Sequence, residues 1–514
     1  MKKLLIKFWP IILIALVGFL LRIVKIEELF YFTYDESIPA FVGRRLLLWH
    51  HLPLIGGVTP FGFHIAPYFY WLLSVILIIG KLNPLAWGFA GAVFSAITTV
   101  LIYLVGREFG SKKVGVVAAI LWATSYLTNI YDRHFWALWW GPLISLITLF
   151  SLYKIIKGNQ KFTYLLAATL AFALCADPSN FVFIVFTIAV WFIYKLPFKH
   201  LGIIITVIVL SFAPLVIFDL RHNFANTKPI LSFLKAGQNN PGLDLQKVVD
   251  NTLLFPSTFS RLIYTTGDNE ISKQYSYCLV YAKGKLQSIP PYFVFLSSVA
   301  LVAFIFWSYK HNREVGWKLT STLLILYFAG IQIYGTVFKA DIFEHYITGT
   351  FAVMILIIAK GISILPKKLQ IFIITLFIAL NIGKTLNAKN DLGLSVKRQA
   401  IEYTMQQVGD KPFSLDSLST CWKLNGYRYL FTVFGKEPVK SYVDPNFAYL
   451  YGTTPVWENH PPTVVAFVAH DFIPETEEFY YRYNTLKSHE TSSKTFGGLE
   501  VIIMDNSTNW FDSQ

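Results

Sequence analysis

The sequence predicts an α-helical polytopic membrane protein with a small soluble α/β domain at its C-terminal end. Three observations carry this. Mean hydropathy is +0.51 and only 14% of the 514 residues are charged, against roughly a quarter in a soluble protein. Apolar runs near the ~20 residues needed to cross a bilayer recur as far as residue 386. Beyond about residue 395 they give way to short β-branched and amphipathic segments.

The first run, 4–24, lies in MKKLLIKFWPIILIALVGFLLRIVK. It is too long for a signal peptide and no small-residue cleavage site follows, so a retained first helix is expected. Further runs fall at 64–80, 85–105, 114–130, 135–156, 162–176, 180–194, 201–218, 292–309, 318–337, 346–365 and 369–386. If all twelve crossed, basic loops would fall on both sides. If 64–80 does not cross, the loops around Lys3, Arg107, Lys113, Lys154, Lys199, Lys310 and Lys368 share one face. The positive-inside rule makes that face cytoplasmic. The expectation is about eleven transmembrane helices, a cytoplasmic N-terminus and one outer juxtamembrane helix, which opens with His64 and Pro67.

The outer face then holds a first loop (25–84), a long loop (219–290) and a domain at 391–514, following a membrane domain at 1–390. In that last domain "SVKRQAIEYTMQQVG" has the spacing of an amphipathic helix. "PTVVAFVAH" and "LEVIIMD" read as β-branched strands. It shows no acid pair, nucleophile–base pair or metal spacing of its own, so it is expected to assist acceptor choice and do no chemistry.

The net charge of +14 belongs to the cytoplasmic loops rather than to a nucleic-acid surface, because no basic face with a binding motif occurs. No P-loop, dinucleotide fingerprint, H-E-x-x-H or G-x-S-x-G is present. Cys175, Cys278 and Cys421 have no metal-ligand spacing. Cys278 and Cys421 can pair if both lie outside, and the sequence leaves that open.

Candidate chemistry gathers at the outer helix ends. "YFTYDESIPAFVGRRLLLWHH" begins at Tyr31 and sets Asp35 and Glu36 just past the first run. Both read as solvated loop residues or as an acidic pair at an outer pocket. A carboxylate there can act as general base on a hydroxyl. Adjacent helical residues point about 100° apart, so one faces the pocket and the other structures the loop. Asp132, Arg133 and His134 read as a capped turn, or as an anion clamp with Arg133 on phosphate and Asp132 orienting Arg133 or a substrate hydroxyl. Arg221 and His222 in "FDLRHNF" read as headgroup contacts or as further phosphate contacts. His345 in "FEHYITGTF" divides the same way, and Asp177 reads as a cavity wall.

Together these residues resemble glycosyltransferase family 39, which includes the protein O-mannosyltransferases and lipid A aminoarabinose transferases of the GT-C membrane fold. The likeness rests on the early "DE", the His/Pro juxtamembrane segment, the acid and Arg after the third crossing, and the late "EHY". It covers about 1–386, most closely the first 160 or so. Two departures stand out. Ala66 replaces the first of two usual prolines, and His345-Tyr346 replaces a usual Arg-Tyr. The W-W-D-Y-G motif of oligosaccharyltransferases is absent, which favours a monosaccharide-type donor.

The resemblance implies a polyprenyl-phosphate-linked sugar donor, an inverting displacement and Asp35 as base, with Glu36 beside it. It implies donor contacts among His64, Asp132, Arg133, His134, Asp177, Arg221, His222, His345 and Tyr346. No cofactor is required by it, and metal dependence, including a divalent cation, stays open. The acceptor, a protein, glycan or lipid, is unspecified. A multi-pass protein of a bacterial plasma membrane is expected. A membrane transporter or lipid flippase is the competing reading, and a receptor or scaffold the third.

Overall fold

Nearly every apolar run folds as a helix, since only intra-segment hydrogen bonds can satisfy the backbone in hydrocarbon. Among the described residues seven helices are long and apolar enough to cross: Leu85–Phe109, Leu138–Ile156, Phe198–Arg221, Pro291–Lys310, Val315–Val337, Glu344–Ile364 and Lys367–Asn387. Lys112–Thr124 and Tyr126–Arg133, bent by 60°, make an eighth if counted as one span. Trp9–Ile23, Phe162–Ala176 and Pro178–Ile193 are shorter apolar helices at the other expected crossings. Tyr68–Ile79, in the run expected not to cross, has 12 residues. At 1.5 Å per residue it spans about 18 Å, well short of the ~30 Å core. This computed structural model describes residues 2–514 except 60–61, 135, 237–243, 266–288, 311–313, 339, 341, 419–425, 446–449, 451–460, 471–476 and 506–514. The Cys278–Cys421 question lies outside the described residues.

The 60° bend has an identifiable cause. Ser125 takes an extended backbone (φ −59°, ψ 128°) and interrupts the helix. The groups at the break find partners in other helices, as a buried backbone requires. The Tyr126 N–H donates to Asn381 Oδ1 at 2.9 Å, and the Ser125 hydroxyl donates to the Leu262 carbonyl at 3.0 Å. The bend aims the last turn of the broken helix, with Asp132 and Arg133, across the end of the bundle.

The C-terminal domain is a five-stranded mixed sheet of β1 (Phe413–Leu418), β2 (Lys440–Ser441), β3 (Thr463–Ala469), β4 (Glu490–Phe496) and β5 (Leu499–Asp505). Strand order is β2-β1-β3-β5-β4, with β2, β1 and β3 parallel and β5 antiparallel to both neighbours. Alternation along β3 divides its apolar residues between two faces. Val464, Ala466 and Val468 pack towards Leu486 of the Glu477–Ser488 helix. Val465 and Phe467 join the main core with Ile401 of Leu394–Val408 and Phe431 of Tyr427–Phe434.

That second face is pressed against the first loop. The Leu394 N–H donates to the Phe30 carbonyl at 3.0 Å. The Tyr429 hydroxyl donates to the Leu82 carbonyl at 2.8 Å, and its ring meets Phe32 and Phe41. Arg44 pairs with Glu437, and Arg398 with Glu27. Gly426 is required by the approach: a Cβ there would lie 2.5 Å from the Thr33 carbonyl oxygen.

Candidate active site

The helix Tyr34–Trp49 begins on Thr33, whose side chain and N–H form a capping box with Glu36. The Thr33 N–H donates to Glu36 Oε2 at 2.9 Å, and the Thr33 hydroxyl donates to the same oxygen. The other oxygen, Oε1, faces His134 Nδ1 at 3.5 Å. Glu36 is therefore buried, at 5% exposure, while Asp35, one step around the helix, is exposed. Burial pushes the Glu36 carboxyl up, but hydrogen bonds from His134 and Thr33 outweigh it and hold the group below the usual carboxylate range.

His134 leads from Glu36 to a shelf of rings. It stacks on Tyr31 (centroids 4.6 Å apart) and meets Trp139 edge-on at 4.2 Å. Trp136 touches Trp139 on one side and His345 on the other, at 6.0 and 5.0 Å. His345 stacks on Phe343 at 5.4 Å and contacts Tyr346 at 4.6 Å. Asp177 accepts from the Ser179 N–H at 2.7 Å, and its electrostatic neighbours include His345. The fold thus brings Glu36, His134, Asp177, His345 and Tyr346, from four distant segments, to one end of the bundle.

Asp132 and Arg133 serve α-helical neighbours here. Asp132 Oδ2 accepts from Arg22 Nε at 2.8 Å and from the Ser95 hydroxyl at 2.6 Å. Arg133, 2% exposed, donates to the carbonyls of Leu21 and Arg22 at 3.0 and 3.2 Å, capping the end of the first helix. A cavity opens beside them, bounded among others by Ser95, Thr98, Trp122, Asp132, His134 and Trp140.

His64, Arg221 and His222 form a second neighbourhood. The His64 backbone exchanges hydrogen bonds with Asn226 at 2.5 and 3.1 Å, and its Nδ1 sits 3.0 Å from the Gly56 carbonyl. Asp219 accepts from the Asn226 N–H (2.7 Å) and the Thr227 hydroxyl (2.6 Å), which orders the turn after Arg221 and His222. Both of those are exposed, and His222 stacks on Phe218 at 4.2 Å.

Sequence reasoning missed three members of this end. Arg22, fully buried, also donates to the Gly18, Trp122 and Ala123 carbonyls. Its signal was visible: a charge inside "GFLLRIVK" is costly unless it has a partner. Arg261, from the amphipathic Leu245–Ile263 helix, pairs with buried Glu344, which also accepts from Tyr131 at 3.0 Å and Thr258 at 3.0 Å. Lys397 reaches in from the C-terminal domain and donates to the Phe32 carbonyl. Among the described residues no group of three or more His, Cys, Asp or Glu is placed to hold a metal ion.

A helical multi-span membrane domain followed by a small mixed sheet, with the functional-looking residues at the shared end, defines a GT-C-like fold. ArnT from Cupriavidus metallidurans, solved bound to undecaprenyl phosphate, is similar at a TM-score of 0.56 and 10% identity over 96% of this chain and 98% of that one. The Archaeoglobus fulgidus oligosaccharyltransferase in its apo form is similar at 0.52 and 12% identity, over 89% of this chain and 69% of that one. AglB from the same organism, in complex with an inhibitory peptide and a dolichol-phosphate, gives 0.50 and 12% over 90% and 70%. No family model and no curated protein matches the sequence.

Proposed function

We propose that this chain is a membrane glycosyltransferase that takes a sugar from a polyprenyl-phosphate carrier and passes it to an acceptor hydroxyl at the outer face. The observation that carries the reading is the division of labour in the acidic pair. Glu36 is buried, held by the capping box and facing His134, whereas Asp35, beside it on the same first turn, is exposed. An exposed carboxylate on the first turn of a helix suits deprotonation of a sugar or side-chain hydroxyl. The likeness of fold to proteins solved with undecaprenyl phosphate and dolichol-phosphate supports a carrier of that class.

In this reading Asp35 takes the acceptor proton as its oxygen attacks the anomeric carbon, with inversion, and the lipid phosphate leaves. A phosphate leaving group calls for cations rather than a general acid. Arg221 and His222, at the exposed helix end, and half-buried His64, hydrogen-bonded to Asn226, are assigned to that phosphate. His134, Asp177, His345 and Tyr346 are assigned to the walls around the sugar. Arg133 and Asp132, which hold the first helix, are assigned to positioning His134. Orientation follows the loop charges: basic loops inside, first loop and C-terminal domain outside.

The test is turnover by the purified protein in lipid nanodiscs supplied with radiolabelled polyprenyl-phosphate monosaccharides. Release of free polyprenyl phosphate supports the reading. Passage of an intact labelled lipid between leaflets of proteoliposomes, with no sugar released from any donor, would replace it with the transporter reading.

A further inference from the structure

Lys397 occupies a position where helical spacing calls for an apolar residue. The buried side chains of Leu394–Val408 are Leu394, Lys397, Ala400, Ile401, Thr404 and Val408. The lysine is thus in the inward stripe, and is 2% exposed. Burying an ammonium is costly, and a methionine there would pack without that cost. The charge is spent at one place. Its ammonium donates to the Phe32 carbonyl, lies over the Tyr427 ring at 5.4 Å and acts on the charge of Glu36.

Phe32 immediately precedes Thr33, the N-cap of the helix whose first turn carries Asp35 and Glu36. The backbone at 30–33 is held from two sides. From its own helix, Glu36 accepts from the Thr33 N–H at 2.9 Å. From the C-terminal domain, the Leu394 N–H and the Lys397 ammonium take the Phe30 and Phe32 carbonyls. The Gly426 Cα abuts the Thr33 carbonyl, leaving no room for a side chain. Three residues of the C-terminal domain, two from the Leu394–Val408 helix and Gly426, thus converge on Phe30, Phe32 and Thr33, the segment that leads into the helix carrying Asp35.

We propose that Lys397 is a positioning residue for Asp35, reaching from the C-terminal domain to fix the N-cap of the helix that carries the base. This rests on the glycosyltransferase reading above. It deepens that reading by making the C-terminal domain part of the frame of the active site rather than an accessory for acceptor choice. The charged donor on the Phe32 carbonyl is the working element. Removing it should disturb catalysis more than donor binding, because the donor's phosphate contacts are assigned elsewhere.

The experiment compares full-length wild type, Lys397→Met and Lys397→Arg in nanodiscs by amide hydrogen exchange and by turnover of polyprenyl-phosphate monosaccharide. In Lys397→Met, exchange at amides 33–37 should accelerate at least tenfold while amides 397–408 keep their protection. Turnover at saturating donor should fall tenfold or more, with the donor KM within about threefold of wild type. Lys397→Arg, which keeps a cationic donor, should recover a substantial part of both. Unchanged exchange at 33–37, or loss of protection along the whole 394–408 helix, makes Lys397 an ordinary packing residue and overturns the proposal. If exchange responds as expected but wild type turns over no donor, the glycosyltransferase reading fails and the anchoring of the loop by Lys397 stands.

Discussion

The guanidinium of Arg22 closes on the carboxylate of Asp132, 110 residues away, through Nε at 2.8 Å and Nη2 at 2.7 Å. This pair pins the end of the first helix to the end of the broken one, and so fixes the turn that presents His134 to Glu36. Breaking one side of a buried pair leaves an uncompensated charge, at a cost of about 3–5 kcal/mol. Arg22→Met and Asp132→Asn should each lower thermal stability in detergent strongly. The double variant should be less destabilised than the sum. Additive, small effects would show the pair to be incidental.

Loop charges and helix length both favour the expectation that Tyr68–Ile79 does not cross. Single cysteines at His51 and at Lys81, flanking that helix, should then react with an impermeant thiol reagent from the same side of sealed vesicles. Opposite sides would overturn the arrangement of about eleven crossings.

Burial lowers the Lys397 ammonium to about 8 from the ordinary 10.5, against the attraction of Glu36. Between those two pH values the unfolded chain holds a proton that the folded protein has released, so stability rises with pH across the window. At 1.36 kcal/mol per unit the rise approaches ~3 kcal/mol. Lys397→Met removes it. The stability of wild type relative to that variant should therefore grow between about pH 8 and 10.5. A difference that stays flat across that range would contradict the lowered titration of the buried lysine.

A side chain at Gly426 has nowhere to go, with the Thr33 carbonyl 2.5 Å and the Phe32 ring 2.7 Å from a Cβ. Gly426→Val should part the C-terminal domain from the first loop and expose the 388–393 linker to limited proteolysis. Wild-type protection in that variant would mean that the two surfaces are not tightly docked.

Much of the fold was legible. The run at 162–176 is the helix Phe162–Ala176, and the segments "PTVVAFVAH" and "LEVIIMD" contain β3 and β5. Amphipathic spacing found Leu394–Val408 within a residue. Such features are written in local periodicity. The bend at Ser125 was not, because helices far along the chain supply its hydrogen bonds through Asn381 and Leu262. The division between Asp35 and Glu36 was half legible: two adjacent acids cannot face the same way and the resemblance gave the base role to Asp35, but the burial of Glu36 against Thr33 and His134 needed the fold. Pairings such as Arg22–Asp132, Arg261–Glu344 and Lys397–Phe32 join residues more than 80 positions apart and leave no local pattern.

Whether Asp35 is the base decides the account. The direct measurement is single-turnover sugar transfer by Asp35→Asn and Glu36→Gln at saturating donor, with donor binding measured on the same samples. A positioned base contributes about 10²–10⁴-fold, and the amide keeps the shape without the basicity. Asp35→Asn should lose that factor while binding donor normally. Glu36→Gln should lose less turnover and show its main effect on stability, because it unties the capping box. A nearly active Asp35→Asn beside a dead Glu36→Gln would contradict the assignment and move the base to the buried partner.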